Sequence, residues 1–194
     1  LILRLNDAPV KEHKKDVGER TSICLFFPES ALPNPLENND NTLMVFVPFK
    51  PLDFFWLREV LLKTKNKTKV GFWCQSPWEW HRNVSQLCIH NPYVTYEATY
   101  KLLQLNASSR RYATAGIIAL NLALHMCQEV KIAGFGYSGN HDNTTPMHYY
   151  NMGRSWKKEL FQHNITTERI WLLKMIKWGV IADIASPSFQ VQNC

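Results

Sequence analysis

The sequence lacks any apolar run near the roughly 20 residues that a membrane-spanning helix requires, and it shows no signal-peptide pattern. It has no Cys-x-x-Cys pair and no other metal spacing of its cysteines. A Gly-x-Ser-x-Gly elbow, a Ser-His-Asp arrangement and a Gly-rich phosphate loop are all missing, which removes the commonest nucleophilic hydrolases and P-loop enzymes. There is no Asp-x-Asp pair, with which many nucleotide-sugar enzymes hold a divalent ion through hard oxygens. Chemistry without a metal or bound cofactor is therefore expected. Positive charge is present but not concentrated: the net charge is +6, yet the only basic doublets are Lys14-Lys15, Arg110-Arg111 and Lys157-Lys158. No basic stripe marks a nucleic-acid partner. Internal repeats and low-complexity segments are also missing. The chain does not begin with methionine, and Leu1-Ile2-Leu3-Arg4-Leu5 reads as a strand already under way, so an amino-terminal truncation is expected.

What is there suits one globular domain, or most of one, because 194 residues can bury a full core. Five Asn-x-Ser/Thr sequons occur, at Asn66, Asn83, Asn106, Asn143 and Asn164. Chance would supply about one in a chain of ordinary composition, so the lumen of the secretory pathway is favoured. The odd count of five cysteines, at 24, 74, 88, 127 and 194, leaves one thiol free or a partner missing.

Short apolar runs alternate with helical patterns. Strands are expected at the first five residues, Thr21–Phe27, Thr42–Val47, Leu87–Ile89, Val130–Gly134 and Val180–Ile184. The stretch Asn6–Gly18 reads as polar turns and Leu32–Asn41 as a loop. A helix opens at Pro51 with Asp53 in its first turn, and Phe54, Leu57, Val60 and Leu61 recur at core-facing spacing. Phe72, Trp73, Trp78 and Trp80 crowd an irregular stretch, where aromatics fill core gaps or stack on a sugar. Further helices are expected at Thr95–Leu105 and Met152–Gln162. The last helix carries an apolar stripe of Ile170, Leu172, Leu173 and Ile176; Thr166 or Thr167 caps it, or the sequon from Asn164 to Thr166 serves as its cap, Glu168 complements its dipole and Gly179 stops it.

The chain is organised around Tyr112–Tyr150. Ile117–Met126 reads as a buried helix of about three turns capped by Thr114. The Val130–Gly134 strand then ends in a loop bearing Gly134 and Gly136. Helix, strand and a glycine loop at the strand's carboxyl end form the α/β arrangement in which ligands bind, and a small-residue turn at a helix start accepts anions. His148 and His163 flank the helix after that loop, and histidine can act near neutral pH as a base or as a partner for phosphate.

These residues resemble the animal sialyltransferases. Tyr112-Ala113-Thr114-Ala115-Gly116 through Cys127, Val130 and Gly134-Phe135-Gly136-Tyr137 is similar to their small sialyl motif. His148-Tyr149-Tyr150 resembles the third motif, and His163-Asn164-Ile165-Thr166-Thr167-Glu168 the very small motif. Arg4-Leu5-Asn6-Asp7-Ala8-Pro9, with Asp16-Val17-Gly18 and Thr21, is similar to the second half of the large motif. The Arg-Leu-Asn-x-Ala-Pro form, the Gly-Phe-Gly-Tyr run and the close from Leu172 to Asp183 look most like the β-galactoside α2,3-sialyltransferases, nearest the branch acting on lactosylceramide or lactosamine-type termini.

The resemblance implies a Rossmann-like α/β/α sandwich with a largely parallel sheet, and residues 1–194 as the carboxyl-terminal part of one catalytic domain that starts within the large motif. It implies inverting, metal-free transfer from CMP-sialic acid to the 3-hydroxyl of a terminal galactose on a glycolipid or glycoprotein. His163 would be the general base and His148 would stabilise the departing phosphate. Asn6, Thr114, Gly116 and Gly136 would line the nucleotide site, with Tyr112 and Tyr149 as further binding residues. Glu168 and Cys127 would be structural, although the family partner of Cys127 lies in the half-motif that this sequence lacks. A Golgi-lumenal domain on a type II membrane anchor upstream of Leu1 is the implied address. The family usually has proline where this chain has Ala113, so a less rigid turn is expected there. O-glycan core galactose as acceptor, or a glycan-binding domain without catalysis, are the rival readings.

Overall fold

Four short apolar runs of the amino-terminal half form one parallel sheet. They are β1 (Leu3–Leu5), β2 (Ile23–Phe26), β3 (Leu43–Phe46) and β4 (Leu87–Ile89), adjacent in that order. Leu3 pairs with Ile23, Ile23 with Leu43, and Met44 with Leu87. Every residue of β2 is buried, as are Met44, Val45 and Phe46 of β3. Central parallel strands are covered on both faces, which is why they read as unbroken apolar runs. The computed structural model describes residues 1–31, 39–64, 71–135, 148–150 and 161–185. It divides into two units, Leu1–Pro92 and Tyr93–Cys194.

In the first unit the stretch read as polar turns holds a helical turn, Lys11–His13, that runs into a four-residue helix, α1 (Lys14–Val17). Arg4 of β1 ties this stretch down. Its guanidinium donates to the carbonyls of Val17, Gly18 and Arg20 and to Thr21 Oγ1. The Arg-Leu-Asn run and the Val17-Gly18 pair, far apart in sequence, are thus joined by one side chain.

Helix α2 (Pro51–Leu62) starts with proline in its first turn, as expected. Its buried face differs from the sequence reading. Trp56, Leu57 and Val60 face the core together with Asp53, whereas Phe54 is 45% exposed. Residues 53, 56, 57 and 60 form one i, i+3, i+4, i+7 stripe, and a carboxylate can lie in it because it caps the helix. Asp53 Oδ2 accepts the N–H groups of Phe49 (2.8 Å) and Lys50 (3.1 Å). Burial raises its pKa above the ordinary value, and those two N–H groups and the Lys50 ammonium pull it back. The core joins Cys24, Phe26, Met44, Phe46, Trp56, Leu57 and Val60, with Phe72, Trp78 and Trp80 packed on it. Three of the four clustered aromatics are therefore core residues, and Trp73 alone of the four is largely exposed.

In the second unit, helix α3 (Pro92–Tyr96) continues as a π-helical turn over Glu97–Leu102. It begins three residues before the expected Thr95, because proline suits a first helical turn as well as it ends a strand. Helix α4 (Ala115–Met126) is capped by Thr114, whose Oγ1 accepts the Ile117 N–H. Strands β5 (Val130–Ile132) and β6 (Ile181–Asp183) form a parallel pair.

Helix α5 (Ile165–Lys177) precedes β6, and of the caps the sequence offers it uses the sequon asparagine and neither Thr166 nor Thr167: Asn164 Oδ1 accepts the Thr167 N–H at 3.2 Å. Its buried stripe is Glu168, Trp171 and Leu172, and Ile170 is 51% exposed. Gly179 (φ +70°) ends it: its N–H bonds the Ile176 carbonyl and the Val180 N–H bonds that of Met175, the two bonds of a Schellman stop. All strand pairs among the described residues are parallel, and the fold is α/β. The helix expected at Met152–Gln162 lies almost entirely outside the described residues, as does the loop at 32–38. No helix among the described residues is long and apolar enough to cross a membrane.

Candidate active site

Two segments some fifty residues apart in sequence are laced together in the second unit. Arg111 Nε donates to the Phe161 carbonyl and the Tyr112 N–H to that of Gln162, at 3.2 and 3.1 Å. One residue further on, His163 Nδ1 lies 2.9 Å from the Tyr112 carbonyl oxygen. The lacing ends at Glu168, whose Oε1 accepts the Thr114 N–H (2.8 Å) and whose Oε2 accepts the Thr114 hydroxyl (2.7 Å).

The geometry settles which nitrogen of His163 is available. A carbonyl oxygen only accepts, so Nδ1 carries the proton, and in the neutral ring Nε2 keeps its lone pair. The Tyr112 ring stands edge-on to the imidazole, with centroids 4.8 Å apart and planes at 80°, and the histidine is only partly buried. A half-open imidazole with Nε2 unprotonated can take a proton from a hydroxyl.

Glu168 does more than complement a helix dipole. It lies in the first turn of α5, is fully buried, and grips the cap residue of α4 with both carboxylate oxygens. The start of α4 is thereby fixed to the start of α5, and α5 begins two residues after His163. The spacing of His163 and Glu168 has a physical content: the histidine is placed on Tyr112 and the glutamate on Thr114.

Two further contacts define the start of α4. A Cβ on Gly116 would lie 3.2 Å from Phe135 Cε1 and 3.5 Å from Thr114 Oγ1, so glycine lets Phe135 close onto the first turn. Ala113 is fully buried and its N–H donates to Thr99 Oγ1 at 3.1 Å. Proline has no N–H to satisfy; alanine does, and the buried Thr99 hydroxyl supplies the acceptor. The turn at Ala113, expected to be less rigid without proline, is thus held by a hydrogen bond. Nothing in the sequence marks Thr99 for this, because its partner is fourteen residues away across a helix end.

His148 and Tyr149 stand in a group of their own with Tyr150. His148 stacks on Tyr150 at 5.3 Å between centroids, Tyr149 meets Tyr150 edge-on at 5.2 Å, and both His148 and Tyr149 are exposed. Gly136 lies outside the described residues. Cys127 follows α4 as a partly buried free thiol. Asn6 belongs to the first unit, at the carboxyl end of β1, where ligands of parallel sheets bind. It adopts φ +58°, and its buried Oδ1 has no hydrogen-bond partner. A buried amide oxygen without a donor is costly, and a ligand N–H or O–H would relieve it. Among the described residues no three His, Cys, Asp or Glu side chains gather as a metal site requires.

Behind the site, Asn121 and His125 of α4 both hold Glu97 at the start of the π-helical turn, and Asn121 also donates to the Val94 carbonyl. The hydrogen bonds from His125 and then Asn121 keep the Glu97 carboxyl below its ordinary pKa. A carboxyl depressed on folding adds stability above its unfolded pKa of about 4.3, and that stability is lost as pH falls through the folded value. Glu97→Gln should accordingly flatten the acid limb of the urea midpoint plotted against pH. An acid limb identical to that of the parent protein would show that the pair contributes nothing.

Comparison with known proteins agrees with this geometry. The model of glycosyltransferase family 29 (sialyltransferase) matches residues 1–180. CMP-N-acetylneuraminate-beta-galactosamide-alpha-2,3-sialyltransferase 4 of Rattus norvegicus is 39% identical over 189 residues, covering 95% of this chain and 56% of that protein. Type 2 lactosamine alpha-2,3-sialyltransferase of the same species is 37% identical, with 95% and 57% covered. CMP-N-acetylneuraminate-beta-1,4-galactoside alpha-2,3-sialyltransferase of Mus musculus is 36% identical, with 96% and 51% covered. The crystal structure of a mammalian sialyltransferase has the same fold, with a TM-score of 0.75 and 22% identity over 96% of this chain and 60% of that one. The chain spans a little over half the length of the curated relatives it matches.

Proposed function

This chain belongs to glycosyltransferase family 29, the sialyltransferases, and we propose that the whole protein transfers sialic acid from CMP-sialic acid to the 3-hydroxyl of a terminal β-galactoside. The chain is read as the carboxyl-terminal part of its catalytic domain. The observation that carries the proposal is the orientation of His163: its Nδ1–H rests on the Tyr112 carbonyl, which reserves Nε2 for an acceptor hydroxyl.

Displacement at the anomeric carbon with inversion needs a base on the attacking side and charge stabilisation on the leaving side. His163 supplies the first. His148, Tyr112 and the first turn of α4 at Thr114 and Gly116 supply the second, since a helix start offers N–H groups to a phosphate. The family resemblance assigns Asn6 and Gly136 to the nucleotide as well, and the buried Oδ1 of Asn6 has no hydrogen-bond partner. Tyr149 is exposed and able to meet a substrate. No step requires a metal or a bound cofactor.

Relatives named for lactosamine and β-1,4-galactoside support a galactose-terminated acceptor, which we read as carried on glycolipid or glycoprotein. The sequons and the family support the Golgi lumen as the address, on a type II membrane anchor. The whole protein, given CMP-sialic acid with lactosylceramide, lactosamine or an O-glycan core in parallel, should sialylate at least one of the first two. Transfer to the O-glycan core alone would reassign the acceptor, and binding without transfer would replace the enzyme by a glycan-binding module.

A further inference from the structure

We propose that Asn83 and Asn106 carry N-linked glycans and that Asn164, although it heads an equally good sequon, does not. The proposal rests on the lumenal address above.

Asn83 and Asn106 share one local geometry. Each is exposed, extended in backbone, and followed by a single helical turn. Asn83 Oδ1 accepts the Ser85 N–H at 3.0 Å. Asn106 Oδ1 accepts both the N–H and the hydroxyl of Ser108, each at 2.9 Å. In both, the carbonyl half of the amide is used by the sequon's own serine, while Nδ2 bonds to no described residue. Nδ2 is the atom that is modified, and both side chains leave it at an open surface where a bulky, hydrated substituent displaces no contact.

Asn164 is placed differently. It is partly buried, its Oδ1 caps α5, and its carbonyl accepts the Glu168 N–H. It also adjoins His163 directly in the chain. An oligosaccharide on its Nδ2 would have to be accommodated at a partly buried residue, where the other two asparagines are open. All three asparagines cap a helical turn through Oδ1; Asn164 differs in being partly buried and in heading a helix of thirteen residues, where the other two are exposed and head single turns.

The donor would be an oligosaccharide carried on a polyprenyl diphosphate. Nδ2 attacks its anomeric carbon and a C–N bond forms. The anomeric C–O bond breaks, polyprenyl diphosphate leaves with the electron pair, and the amide gives one proton to the base of the transferring enzyme.

The test is to express the whole protein behind a strong heterologous leader in a eukaryotic host and remove its glycans with an amidase in heavy-oxygen water. Each modified asparagine then becomes isotopically labelled aspartate, read by peptide mass spectrometry. Label is expected at Asn83 and Asn106 and not at Asn164. Ser85→Ala and Ser108→Ala, which keep the asparagine and its bond to the backbone, should each remove one glycan from the electrophoretic ladder. An unlabelled Asn83 or Asn106, or a labelled Asn164, would overturn the proposal. Because the leader forces entry to the lumen, the labelling result is independent of the native address. The same digestion on natively expressed protein tests the address: no glycan there, with both present on the secreted form, would sink the lumenal reading and leave the site assignment standing.

Discussion

Replacing His163 with alanine in the whole protein is expected to lower kcat by about 10²–10⁴-fold, with KM for the acceptor changed little. A base acts only as the proton moves, so its loss falls on the transition state and not on binding. The stability change should be small, about 1 kcal/mol, because the imidazole is partly exposed and makes one neutral hydrogen bond to the Tyr112 carbonyl. His163→Asn separates the two roles of the ring. An asparagine amide can place its nitrogen near the Nδ1 position and keep the bond to Tyr112, while nothing remains at Nε2. It should hold the melting temperature and still lose turnover. If both variants turn over at the parent rate, His163 is not the base.

Glu168→Ala is expected to act through stability first. It removes a fully buried carboxylate and leaves the Thr114 N–H and hydroxyl without the oxygens they donate to. Hydrogen bonds to a charged acceptor contribute about 1.5–3 kcal/mol each, so a loss of about 3–5 kcal/mol follows. In a chain of this size that corresponds to a fall in melting temperature on the order of 10 °C. Glu168→Gln should be milder, since its amide oxygen still accepts the Thr114 N–H and its amide nitrogen can donate to the hydroxyl. A double-mutant cycle with Thr114→Val measures the contact itself, and a coupling of about 1 kcal/mol or more is expected. Strict additivity of the two changes would mean that the grip of Glu168 on the α4 cap carries no energy.

The two residues answer different questions about how far a sequence can be read. Thr114 is legible as a cap because its partner, the Ile117 N–H, is three residues away and the apolar run behind it names the helix. Gly179 is legible as a stop for the same reason, since both bonds of its turn are local. The strands are legible because buried parallel strands are apolar on both faces. By contrast, the dipole reading of Glu168 misses its grip on Thr114, because a glutamate in a first helical turn looks the same whether it faces water or a residue 54 positions upstream. Phe54 leaves its expected core place on α2 and Asp53 takes a buried one, because hydrophobicity ranks phenylalanine inward while the N–H groups of Phe49 and Lys50 and the Lys50 ammonium make a buried carboxylate tolerable.

Order and spacing along the chain, by themselves, determined the α/β class, the cap of the helix at residues 115–126, the stop of the helix at residues 165–177, and the family whose motifs this protein carries. Those are outcomes of short-range chemistry and of linear pattern. Only the tertiary structure decided which nitrogen of His163 is open, what Glu168 holds, that Thr99 satisfies the N–H of Ala113, and that Asn83 and Asn106 are exposed where Asn164 is partly buried. Each depends on a partner distant in the chain or on the space around one atom, and a buried polar group declares its function only through the group it is paired with.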